Sequence, residues 1–393
     1  MRITRVETFL VPPRWLFCRI ETGDGIVGWG EPVVEGRAEV VRAAVEVFTE
    51  YLIGADPLRI SDTWLVLSRG GFYRDGPVLS SAVAGIDQAL WDIAGQAYGA
   101  PVHALLGGAV RDRVRVYAWV GGDEPSELRE QIAAQVEAGF TAVKMNACGR
   151  MSPIASAAEV AAVIARAATA RDALGPERDM AIDCHGRFTT ATARRILPEL
   201  AALSPLFVEE PVLPEHGHAL PAVIASTSVP VAAGERVFSR AGFLPLLQAG
   251  VAVVQPDLSH AGGITEVVRI ASLADTFGAH LAPHCPLGPI ALAASLQVGF
   301  ATPNLLIQEQ SLGIHYNKDA DLLSYVTDPA PFRFTDGHAR LTQQPGLGVS
   351  IDEAAVRAAD RAGHRWRNPV WRHPDGSFAE WLYLCLRTDN CDH

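Results

Sequence analysis

Between residues 114 and 308 the chain alternates short apolar runs with longer amphipathic stretches, and this alternation constrains its fold more than any other feature. Eight runs read as strands: residues 114–120, 141–146, 180–183, 206–209, 230–233, 251–255, 280–283 and 305–308. Each is short and apolar, as a strand covered on both faces has to be. Helical patterns fill the gaps, among them residues 126–138, 157–173 and 264–277. Strand–helix alternation of this kind is the mark of βαβ units and a parallel sheet. Eight units in succession predict a β/α barrel. A doubly wound open sheet would want a glycine-rich first turn, which the sequence lacks.

The flanks read differently. Residues 3–31 alternate like strands, and Thr22-Gly23-Asp24-Gly25 predicts a hairpin turn between them. Gly28-Trp29-Gly30 lacks the third glycine and the following helix of a nucleotide loop, so it is read as part of the hairpin. Ile86, Leu90, Ile93 and Ala97 recur at helical spacing and predict a helix over 81–98. The pattern changes after Gly107-Gly108, and from Asp319 onward it becomes irregular, with Trp366, Trp371 and Trp381 as candidate anchors for the tail. The expected division is therefore 1–113, 114–318 and 319–393.

The net charge of −11 argues against a general nucleic-acid binder, which would carry a basic face. The six cysteines form no CxxC pair and are expected to be thiols of a reducing cytosol. Charges interrupt the first residues, no apolar stretch approaches membrane-spanning length, and a cytoplasmic protein is expected.

The chemistry sits where the strands end. Lys144 and Asn146, Asp183 and His185, Glu209, Glu235, Asp257, His284 and Glu309 all stand at C-terminal strand ends, which in a barrel open into one mouth. Asp183, Glu209 and Glu235 are one β/α unit apart each time. Any one of them could cap the helix after its strand. Three at the same period instead predict converging carboxylates, whose mutual repulsion a hard divalent cation relieves. An all-oxygen set with no His-x-His pair favours Mg2+ over zinc. His185 shares a strand face with Asp183, and an Asp257–His284 pair would fix the imidazole tautomer and raise its basicity. Acid/base chemistry is the expectation.

These residues resemble the enolase superfamily, in its mandelate-racemase-like branch. Glu209-Glu210-Pro211 is similar to that branch's second-ligand motif. More specific strings point to its acid-sugar dehydratases: Asp183-Cys184-His185-Gly186-Arg187, Gln255-Pro256-Asp257-Leu258-Ser259-His260-Ala261-Gly262-Gly263, Ala282-Pro283-His284-Cys285-Pro286 and Gly313-Ile314-His315-Tyr316-Asn317. The resemblance covers nearly the whole chain, apart from the last residues from Tyr383. It implies a modified (β/α)7β TIM-like barrel and an α+β capping domain built from residues 1–113 and the returning tail. Loops at 12–16 and 70–77 would close the mouth, with Arg14, Trp15, Arg74 and Asp75 as candidate contacts. Racemases of this branch usually carry Lys-x-Lys on the second barrel strand. Here the run is Lys144-Met145-Asn146, and Asn146 cannot take a proton, which puts a two-base racemase in doubt.

The activity so implied is Mg2+-dependent dehydration of a sugar acid, with D-galactonate the expected substrate, and a homo-oligomer the expected assembly. Asp183, Glu209 and Glu235 would hold the ion. His284, oriented by Asp257, would be the base, and His185 the acid. Glu309 would donate to the enediolate, and Lys144, Asn146 and His315 would bind substrate. The alternatives are another aldonate (a 6-deoxy or gluconate-type acid), a 2-hydroxy-acid racemase, or a barrel without activity.

Overall fold

The N-terminal alternation folds into an antiparallel sheet of three strands, Ile3–Val11, Trp15–Thr22 and Val27–Gly30. In this computed structural model the described residues are 1–121, 125–314, 317, 320–373 and 375–379. Contacts divide the chain into two units, Met1–Trp119 with Ala232–Arg367, and Val120–Val231 with Asn368–His393.

In the first unit the hairpin forms at the expected turn, with Gly25 in the left-handed region at φ +82°. Helix Pro77–Tyr98 lies on this sheet, and nearly every residue from Ser81 to Gly95 is buried. A Cβ on Gly30 would run into the Gly85 carbonyl, so the glycines of Gly28-Trp29-Gly30 serve close helix–sheet packing. Strands Val231–Ala233, Val253–Val254 and His280–Leu281 pair in parallel. Residues 305–308 form no strand of their own. They make two isolated parallel bridges, Leu281 to Leu305 and Val116 to Gln308. Helix Pro289–Ala301 is buried all round from Pro289 to Phe300, where each enclosed Leu or Ile stabilises by about 2 kcal/mol. Its first turn is capped from the hairpin sheet's end, by fully buried Glu31. That carboxylate accepts from Gly288 N at 2.7 Å and Ala291 N at 3.0 Å. Burial outweighs these two bonds and raises the Glu31 pKa to about 8.

In the second unit, strands Ala142–Asn146, Asp179–Asp183 and Phe207–Glu209 are parallel neighbours. Helices Pro125–Glu137, Ala157–Leu174 and Thr190–Ala201 alternate with them. Ser156 and Glu159 close a reciprocal capping box at the start of Ala157–Leu174. Parallel strand–helix units together with an antiparallel N-terminal sheet are the α/β architecture expected.

Of the tail anchors, Trp366 is half-buried under the Arg14 guanidinium, 5.7 Å from its ring centroid. Trp371 is half-buried and belongs to the second unit, while Trp381 lies outside the described residues. Trp15 is not a loop contact: it opens a strand, is 1% exposed and stacks on Phe17. Among the described residues no helix is long and apolar enough to cross a membrane. Cys18, Cys148, Cys184 and Cys285 are buried free thiols.

Candidate active site

The candidate residues fall into two sets, one in each unit. In the second unit the parallel register puts Asn146, Asp183 and Glu209 at one level, as Cα partners across three strands. Lys144 precedes Asn146 by two residues and so shares its face. Its ammonium lies 2.8 and 3.0 Å from the two Glu209 oxygens and 3.4 Å from Asp183 Oδ2. Lys144, Asp183 and Glu209 are each at most 1% exposed. This buried ion cluster went unread in the sequence, where Lys144 looked only like a substrate contact.

His185 follows at φ +47°, with its backbone N–H donating to Asp183 Oδ1 at 2.9 Å and its Nδ1 3.2 Å from the same oxygen. Burial works against the Asp183 charge, yet His185 first and Lys144 next hold its pKa below the usual carboxylate value. Asp183 Oδ2 and Asn146 Oδ1 are buried oxygens that accept no hydrogen bond among the described residues. Such oxygens on a carboxylate-rich face suit a hard cation. Oxygen donors of this kind fit Mg2+ better than zinc. Glu210, at φ +38°, is also buried, and its backbone carbonyl accepts from Gly186 N.

In the first unit Glu235 stands two residues beyond strand Val231–Ala233. A Cβ on Gly234, at φ +135°, would collide with the Phe243 ring, so only glycine lets the chain turn there. Asp257 and His284 follow two-residue strands and meet, with His284 Nδ1 2.8 Å from Asp257 Oδ2. Ser259 N donates to the other Asp257 oxygen at 2.6 Å. His284 Nε2 lies 3.4 Å from Glu235. Burial pushes the His284 pKa down, but Glu235 and then Asp257 raise it well above the ordinary value. Glu309 is 2% exposed and accepts from Cys285 N at 2.8 Å.

Arg14 donates to Pro286 O at 3.2 Å, which ties the 12–16 segment to the His284 loop. The 70–77 loop is exposed, with Phe72 at 90% and Tyr73 at 88%, and Asp75 reaches Ser239 Oγ at 3.4 Å. Arg74 turns back on its own loop, donating to Gly71 O. His315 lies outside the described residues. Two groups have no role in the sequence reading: His260, whose Nε2 lies 3.7 Å from Asp257, and Glu35, which lies 3.7 Å from the same His260 nitrogen. His260 lies inside a string that had been singled out, whereas nothing in the pattern around Glu35 marks it.

Comparison with known proteins places these sets in context. Residues 127–355 match the family described as Enolase C-terminal domain-like, and residues 10–107 match the mandelate racemase / muconate lactonizing enzyme N-terminal domain. The chain is 53% identical to D-galactonate dehydratase of Pectobacterium atrosepticum over 97% of its own length and 100% of that protein. It is 54% identical to the protein of the same name from Xanthomonas axonopodis pv. citri, with the same coverage. Among solved structures, an enolase from Agrobacterium radiobacter with bound sodium and L-malate superposes with a TM-score of 0.88. That pair is 32% identical, over 96% of this chain and 99% of the other.

Proposed function

The chain belongs to the enolase superfamily, in its mandelate racemase / muconate lactonizing enzyme branch, and from that premise we propose that it is a Mg2+-dependent D-galactonate dehydratase. It is a hydro-lyase that converts D-galactonate to 2-dehydro-3-deoxy-D-galactonate. The substrate is supported by relatives of that name at 53–54% identity over their full length. The chemistry rests above all on the 2.8 Å contact between His284 Nδ1 and Asp257. It fixes the tautomer that leaves Nε2 to take a proton.

Asp183, Glu209 and Glu235 would hold the ion. Bound there, Mg2+ would supply positive charge to the substrate carboxylate and offset the ligands' own repulsion, including Glu235's pull on His284. His284 removes the C2 proton, and Asp257 stabilises the imidazolium that forms. Glu309, Lys144 and Asn146 bind the carboxylate end and the enediolate, with Glu309 donating a hydrogen bond. His185 gives its proton to the C3 hydroxyl, which leaves as water, and the enol product tautomerises to the 2-keto acid. His315 belongs to the substrate pocket in this reading. So do a capping domain of residues 1–113 closed by the tail from 319, a barrel of residues 114–318, a homo-oligomeric assembly and a cytoplasmic location.

Chelation is the direct test of the metal. EDTA should abolish keto-acid formation and Mg2+ should restore it. Full activity in chelator would overturn the ligand assignment.

A further inference from the structure

We propose that Glu31 and Gln88 are positioning residues for this reaction: a buried brace, built from the N-terminal segment, that sets the Asp257 loop against the His284 loop. The inference rests on the dehydratase reading above, in which His284 is the base and Asp257 orients it. Glu31 directly follows strand Val27–Gly30, and Gln88 lies in helix Pro77–Tyr98. Both are 0% exposed.

The two are joined where Glu31 N donates to Gln88 Oε1 at 2.8 Å. From that joint one side chain reaches each loop. The Glu31 carboxyl accepts from Gly288 N and Ala291 N, just past His284. Gln88 Nε2 donates to Leu258 O at 2.8 Å and lies 3.3 Å from Ser259 Oγ. Leu258 and Ser259 follow Asp257, and Ser259 N donates to Asp257 Oδ1. This bonding also fixes the Gln88 amide, whose oxygen faces an N–H and whose nitrogen faces a carbonyl.

The need for a brace follows from where the pair stands. Asp257 and His284 each lie beyond a strand of two residues, so the paired strands stop short of both. A hydrogen bond weakens steeply as its angle opens, so the 2.8 Å contact between them requires a fixed separation of the two loops. The His284 loop is in fact gripped along its length. Cys285 N is held by Glu309, Pro286 O by Arg14, Leu287 O by the Ser311 hydroxyl and Gly288 N by Glu31. A Cβ on Gly288 would come within 2.7 Å of Glu31 Oε1, so a glycine there admits the carboxyl. Gln297 provides the contrast. It is equally buried and bonded in the same way, to His103 N and Leu347 O, but those residues flank no candidate catalytic group.

The test compares Glu31→Gln and Gln88→Met with Gln297→Met as the control, all in the Mg2+ enzyme. Glu31→Gln keeps the shape and one acceptor, so the test stands on it if Gln88→Met fails to fold. In protein with nitrogen-15-labelled histidine, the low-field proton of His284 Nδ1–H is identified by its loss in His284→Asn. It should move upfield in the brace variants and stay in place in Gln297→Met. With D-galactonate, kcat should fall about ten- to a hundredfold in each brace variant, the scale for a catalytic group displaced by about 1 Å, with KM within about twofold. The two changes combined should cost little more than the worse one alone, because they act through one joint. Gln297→Met should lower the urea midpoint yet leave kcat within about twofold. A His284 resonance unmoved in the brace variants, or an equal kcat loss in Gln297→Met, would overturn the proposal. The spectra need no substrate, so a wrong galactonate assignment would show separately, as a parent enzyme without turnover.

Discussion

His185 and His284 are both imidazoles at strand ends, and their carboxylate partners separate their roles. Asp257 grips His284 through Nδ1, which suits a group that must gain a proton. His284→Asn should therefore abolish both dehydration and exchange of the C2 hydrogen with solvent deuterium. His185→Asn should lose dehydration of the normal substrate yet still expel fluoride from a 3-fluoro analogue, because fluoride leaves without a proton. The reverse pattern would exchange the two assignments. Lys144 supports a second prediction at this scale. It is the cation paired with Glu209 and Asp183, and removing one member of such a buried set costs about 3–5 kcal/mol. Lys144→Met should unfold at lower denaturant in chelator, and saturating Mg2+ should recover more stability in it than in the parent. Equal stabilisation by Mg2+ would mean that Lys144 and the ion do not share these oxygens. The acidic positions were legible in the sequence because each follows an apolar run. The Lys144–Glu209 and His260–Glu35 pairings were not, since they depend on which distant side chains turn toward each other.

Elements were read well where a pattern and a stop signal agree. The helix expected over 157–173 is found as Ala157–Leu174, closed by Gly175, because Ser156 and Glu159 supply its first N–H groups with partners. Hydrogen bonds from Ser156 and Ser152 lower the Glu159 pKa from 4.5 to about 2. A lowered folded-state pKa means that the carboxylate's contribution is complete above 4.5 and is lost as pH falls through about 2. Glu159→Ala should cost about 1 kcal/mol in urea unfolding near neutral pH, and the difference from the parent should vanish toward pH 2. A difference independent of pH would assign the cost to something other than the carboxylate. Strands were read too long. Residues 251–255 and 280–283 shrink to Val253–Val254 and His280–Leu281. An apolar run reports burial, whereas a ladder also needs a partner at every rung. Here the chain leaves the ladder early to carry Asp257 and His284.

For the whole molecule, the strand–helix period was enough to anticipate an α/β architecture, and the quoted strings were enough to anticipate the family. Neither predicts which aldonate stereoisomer the distal pocket accepts, because that depends on loops such as 12–16 and 70–77 whose side chains follow no period. Trp15 illustrates the point: in sequence it sits on the first of these loops, and in the structure it is core. The most direct measurement incubates the purified protein with Mg2+ and each member of an aldonate and aldarate panel, following 2-keto acid formation. The account predicts that D-galactonate is consumed fastest and yields 2-dehydro-3-deoxy-D-galactonate. Product from only some other acid sugar, with D-galactonate left intact, would contradict it.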